Sequence, residues 1–179
     1  MKKLCICLLC LALLLCGCGG RENAERDRFA EVLSARHDLC FTADLRAEYA
    51  DRSAAYTLRY EEDPEGCTLR VLEPEAIRDM SLRLDENGAQ LRYDGISLDA
   101  GAPDRFGLSP VSALPALTKA LCEGFLDSSW TEEGQTVWEL QADDGLRVRV
   151  WLDEGLIPRH AELISDGRVS VVCEIEDWT

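Results

Sequence analysis

Cysteine, histidine and carboxylate are the side chains through which this chain could do chemistry, and its nine cysteines are unevenly spread. Five of them, Cys5, Cys7, Cys10, Cys16 and Cys18, fall within the first 18 residues. In Leu15-Cys16-Gly17-Cys18 a thiol follows a small residue. The chemistry open to such a thiolate is nucleophilic, acylation included.

The other four cysteines, Cys40, Cys67, Cys122 and Cys173, are widely spaced, without a C-x-x-C pair or a histidine at ligand spacing, so zinc has little support. Cys67 and Cys173 fall on the apolar phase of their segments and read as small buried hydrophobes. An oxidising compartment would also permit one or two disulfides. His37 and His160 stand isolated and read as residues near strand ends. Asp143-Asp144-Gly145 and Asp85-Glu86-Asn87-Gly88 lack the spaced oxygens of a calcium loop, and hairpin turns account for them. Glu61-Glu62-Asp63 reads as a solvated edge, and Ser128-Ser129-Trp130 has no assigned base. The chain has no Gly-x-Ser-x-Gly elbow, phosphate loop or Gly-x-Gly-x-x-Gly, and among 34 acids any acid–base pair would be arbitrary. The expectation is a protein without catalytic residues, metal or cofactor, not an enzyme.

The segments that carry Cys18 explain its position. Lys2 and Lys3 form a positive start, and Leu4 to Leu15 an apolar run too short for a bilayer span of ~20 residues. The four residues ending at Cys18 resemble the bacterial lipobox, with Cys16 at −2 a small departure from its usual residues. The resemblance implies that the Cys18 thiolate attacks a diacylglyceryl donor and that a peptidase needing a small residue at the cleaved bond cuts before it; Cys16 fits less well as the acceptor, because the large Leu15 precedes it. This reading divides the chain into a signal peptide over 1–17, a lipidated cysteine and polar tether over 18–28, and a folded domain over 29–179. It places the domain on the outer face of the cell membrane, held by a diacylglyceryl anchor that needs more than one acyl chain to be stable. The formal charge is −15, and losing residues 1–17 removes Lys2 and Lys3 but no acid, leaving −17. So acidic a surface repels phosphate backbones and anionic lipid, which argues against nucleic acid and against attachment other than by the anchor.

Around these residues the pattern is mostly period two. Ala24 to Arg36 reads as an amphipathic helix with Phe29, Val32 and Leu33 as its stripe. Phe41, Ala43, Leu45, Ala47 and Tyr49 then alternate with polar residues, as do Tyr56-Leu58-Tyr60, Cys67-Leu69-Val71, Met80-Leu82-Leu84 and Leu91-Tyr93. Glu65-Gly66, Asn87-Gly88, Asp144-Gly145, Glu154-Gly155 and Asp166-Gly167 supply hairpin turns. Asp99 to Ser109 reads as loop, and Ser109-Pro110 as the cap and first residue of a helix over Val111 to Leu126, with Pro115 kinking it or marking its true start. Beyond Trp130, alternation resumes at Trp138-Leu140, Leu146 to Leu152 and Val169 to Ile175. Trp151 falls on the wet face of its strand, where an aromatic can mark a contact surface. The fold predicted is α+β: a strongly curved antiparallel sheet, a half-open barrel of about nine or ten strands, with an N-terminal and an inserted helix covering the concave face.

In the strand from Phe41 to Tyr49, "VLEPEAIRDMSLRLDENG", "LRYDGISLD", "GLSPVSALPAL" and "GLIPRHAELISDGRVSVV", the chain resembles the LolA/LolB-like superfamily of lipoprotein carriers. It also resembles lipid-anchored members from spore-forming Gram-positive bacteria, including a spore-germination lipoprotein. The resemblance implies a concave face that binds a lipid, an acyl chain or a partner's hydrophobic segment, with Phe41, Leu45, Tyr49, Leu58, Tyr60, Leu82 and Tyr93 lining the groove. It transfers no mechanism, and the anchor at Cys18 fits a locally acting protein better than a shuttle. Two functions stay open: a lipid-binding module, and an interaction lipoprotein that docks and regulates a cell-envelope enzyme, for example in sporulation or germination.

Overall fold

The computed structural model describes residues 19–48, 53–101, 109–142 and 145–179. Eleven strands form one antiparallel sheet: β1 (Cys40–Glu48), β2 (Ser53–Asp63), β3 (Gly66–Glu73), β4 (Ser81–Asp85), β5 (Gly88–Tyr93), β6 (Ile96–Gly101), β7 (Phe125–Glu132), β8 (Gln135–Gln141), β9 (Arg147–Leu152), β10 (Pro158–Ser165) and β11 (Arg168–Glu176). Two helices, α1 (Gly19–Ser34) and α2 (Pro110–Glu123), complete the predicted half-open architecture. The spatial order is β6-β5-β4-β3-β2-β1-β11-β10-β9-β8-β7. Each half is thus a meander, and the pairing of β1 with β11 joins the two halves through the chain ends. Beyond the strands, the backbone groups of Cys40 and Thr179 bond each other reciprocally, at 3.1 and 2.9 Å.

Tight turns make the meanders. At the β7–β8 and β10–β11 connections, Glu133-Gly134 and Asp166-Gly167 both take positive φ, the twist that two-residue hairpins favour. Gly66 is required on a second ground: a Cβ there would stand 2.1 Å from the Leu84 carbonyl oxygen of the neighbouring strand.

α2 is the plug of the half-barrel. Ser109 caps it, its hydroxyl accepting from the Ser112 amide at 3.3 Å, and Pro110 occupies the first turn as expected. The helix runs through Pro115, so that residue does not mark its start. Ala113, Leu114, Leu117, Ala120 and Leu121 are fully buried or nearly so against the concave face.

Four expectations are corrected. The sheet has eleven strands because β6 continues into the segment read as loop, and β7 starts at Phe125, inside the segment read as helix. The helix stops at Glu123 because Gly124 turns extended, which lets Leu126 pair with Leu140 and bury. α1 spans Gly19 to Ser34 and so begins before the expected Ala24. The buried side of α1 holds Ala30 and Leu33 with the half-buried Phe29, whereas Val32 is 60% exposed. Arg26 docks this first half of α1 by donating to the Gly124 carbonyl at the end of α2, and Phe29 meets the Trp138 ring edge-on at 5.4 Å.

Candidate functional site

Register aligns inward side chains into transverse rows. The row Phe41, Tyr60, Leu69, Leu82, Leu91, Leu98 crosses from β1 to β6, each residue opposite the next. Phe41 is fully buried, sandwiched between Tyr60 at 4.9 Å and Trp178 at 4.8 Å. Burial then falls away along the row: Leu82 is still buried, Leu91 half-buried and Leu98 57% exposed. Ile96 and Tyr93, opposite one another in the same hairpin, are exposed too. Among the described residues, α2 covers the middle of the concave face and none covers the β5–β6 flank, on the edge of the sheet.

This placement divides the predicted groove. Phe41, Leu45, Leu58, Tyr60 and Leu82 belong to the core, where they pack with Leu114, Leu117 and Leu121. Tyr93 reaches solvent, its hydroxyl donating to the Ala76 carbonyl at 3.2 Å. Tyr49 lies outside the described residues, as does Cys18. The sequence reading missed Leu91, Ile96 and Leu98 as groove candidates because no strand was expected after Tyr93, which left β5 as the edge of the sheet.

At one end of the half-barrel a cavity of about 410 Å³ reaches inward to Tyr60, Cys67 and Leu84 between the acids Asp63, Glu65 and Asp85. The Tyr60 hydroxyl donates to Glu62 at 3.2 Å and stands 3.3 Å from the Thr118 hydroxyl. Burial holds that phenol well above the usual tyrosine range, so it stays a neutral donor. An acidic portal of this kind disfavours an anionic headgroup.

The four cysteines of the domain are free thiols. Cys67 and Cys173 are buried, and burial pushes their thiols to about 11 and about 12. His160 packs edge-on against Trp151 at 4.7 Å, its Nδ1 2.9 Å from Glu174. Among the described residues no three His, Cys, Asp or Glu side chains are grouped to hold a metal ion.

No family profile and no curated protein matches the chain. Solved structures do. An outer membrane lipoprotein-sorting protein domain from Vibrio parahaemolyticus is similar with a TM-score of 0.51 at 13% identity, covering 89% of this chain and 92% of its own. The structure of the CwlD amidase from Clostridioides difficile in complex with the GerS lipoprotein contains a chain similar with a TM-score of 0.51 at 13% identity, covering 85% and 91%. A DUF1329 family protein from Desulfovibrio piger reaches a TM-score of 0.52 at 9% identity, covering 88% and 91%. At these identities the likeness is one of fold, and the fold is the half-open one that the sequence resemblance implied.

Proposed function

We propose that this chain is a lipid-anchored, extracytoplasmic binding module, non-catalytic, which holds an acyl chain or lipid against the bare flank of its concave sheet. The observation that carries the reading is the inward row itself. It stays apolar from Phe41 to Leu98 but loses its cover at Leu91, so a strip ending in Tyr93, Ile96 and Leu98 faces solvent. Exposed apolar surface of this kind, continuous with a core, is where an apolar ligand recovers burial energy, at roughly 25 cal/mol per Å². The ligand is placed on the flank because Leu114, Leu117 and Leu121 of α2 already pack against the middle of the sheet.

Mass spectrometry of an organic extract of the purified chain beginning at Gly19 tests this, together with displacement of a fluorescent acylglycerol. Stoichiometric lipid is expected, and Leu98→Asp or Ile96→Asp, both on an exposed edge that the fold does not depend on, should abolish it. An empty extract with no acylglycerol binding would overturn the reading. A second reading, docking of an envelope protein, is supported by the likeness to a chain in an amidase–lipoprotein complex and by the outward indoles of Trp130 and Trp151.

A further inference from the structure

The outward face of the sheet carries its own transverse row, running Thr57, Asp44, Glu174, His160, Trp151, Val137, Trp130 over seven strands from β2 to β7. At its β7 end, Val137 is fully buried although it faces outward. Trp130 and Trp151 flank it on either side, and both indole nitrogens donate to the same Glu132 oxygen, at 3.4 and 3.1 Å. The Arg149 guanidinium lies 5.7 and 5.9 Å from the two ring centres and is itself held by Glu139 at 2.9 Å and Glu162 at 3.1 Å. At its other end the row borders a cavity of about 460 Å³ between β11, β1, β2 and β3, lined among the described residues by Asp44, Glu73, Glu174 and Arg46, with Glu73 also accepting from Arg78 at 2.8 Å and Glu174 meeting His160 at 2.9 Å.

A satellite core that clamps the edge strand would account for the burial of Val137. It does not account for Trp130 being left 37% exposed, or for an acidic cavity in line with the indoles. We propose that this row is a docking surface for an extended cationic segment of a partner protein, an apolar side chain resting on the indole pair and lysine or arginine side chains meeting Asp44, Glu73 and Glu174. Tryptophan and arginine dominate binding hot spots, and these are fixed before a partner arrives, so little side-chain entropy is lost on docking. The cavity's carboxylates and the chain's formal charge of −15 set the sign of the partner and speed its approach. Six strand spacings make ~29 Å, the span of about nine extended residues. The inference rests on the chain being a binding module, but not on its ligand being a lipid.

Fluorescence anisotropy tests it with the chain from Gly19 and a labelled nine-residue peptide carrying a phenylalanine and three lysines. Its counterpart with three glutamates is the control. The lysine peptide should bind and the glutamate peptide should not. Affinity should fall at least tenfold in Trp130→Ala and in the double variant Asp44→Asn with Glu174→Gln. Asp85→Asn with Glu86→Gln, at a distant turn, should stay within twofold. Circular dichroism checks each fold. If Trp130→Ala unfolds, the Asp44 and Glu174 double variant decides, since both side chains are exposed. No binding, equal losses from both charge pairs, or a folded Trp130→Ala variant that binds unchanged would each overturn the proposal. So would binding of a neutral chitin oligosaccharide at this face in place of the peptide.

Discussion

Trp151 donates its indole N–H to a carboxylate oxygen of Glu132 at 3.1 Å, across a strand that lies between them. Because Trp130 shares that oxygen, a single carboxylate on the edge strand orients both outward indoles. Glu132→Ala should therefore loosen β7 without unfolding the domain, at a cost of about 1 kcal/mol. Near-UV circular dichroism should weaken, and the β7 amides should exchange faster than those of β9. Unchanged spectra and exchange would mean that the indoles hold their places by packing alone.

Leu117 is fully buried on the inner face of α2. Leu117→Ala removes its contacts with the sheet and leaves a cavity, an expected loss of about 2–5 kcal/mol. Val111, on the exposed side of the same helix, should tolerate alanine within about 0.5 kcal/mol. Equal urea midpoints for the two variants would contradict the plug role of α2.

Asp63 accepts two hydrogen bonds from Arg83, at 2.6 and 2.7 Å, which hold its carboxyl at about 2, below the usual range. A carboxylate whose folded value is depressed stabilises the fold fully above its unfolded value near ~4, and that contribution is lost as the pH falls towards 2. The native chain should thus melt above Asp63→Asn at pH 6, and the gap should close between pH 4 and pH 2. A gap that persists at pH 2 would assign the difference to packing at the turn. Because the Asp63 carboxylate is exposed, salt should also narrow the gap at pH 6.

With burial pushing up the thiols of Cys67 and Cys173, and to a lesser degree those of Cys40 and Cys122, native labelling should be slow. In the chain from Gly19 at pH 8, the half-buried Cys40 and Cys122 should react first and Cys67 and Cys173 only on unfolding. Denaturant should expose four titratable thiols. Fewer than four would reveal a disulfide.

Cys18→Ser should release the mature domain from the membrane fraction, or leave it unprocessed, and abolish incorporation of labelled palmitate. Retention of the label would place the acylated thiol elsewhere, with Cys16 the next candidate.

Which face each side chain takes was largely legible in the sequence, because it is a local matter: alternate residues of a pleated strand point to opposite sides. Phe41, Leu45, Leu58 and Leu82 are inward as their phase requires, and Trp151 outward. Ser109-Pro110 starts a helix for equally local reasons. Trp130 shows where this reasoning fails. Counted by twos from the inward Leu126 it should point inward, but an extra residue at Asp127 bulges β7, so Ser128 pairs with Glu139 and Trp130 turns outward opposite Val137.

Residue type, spacing and turn chemistry are enough to specify a hairpin-built, one-sided apolar sheet with a capped helix inserted. Tertiary structure decided which residues share a row. The inward row runs bare past Leu91, and the outward row joins Trp130 to Trp151 and Asp44 to Glu174. Those neighbours depend on strand register, on the bulge in β7 and on the pairing of β1 with β11 at opposite ends of the chain. Inter-strand hydrogen bonds set all three, and only in the β1–β11 pair do they join segments far apart in the chain.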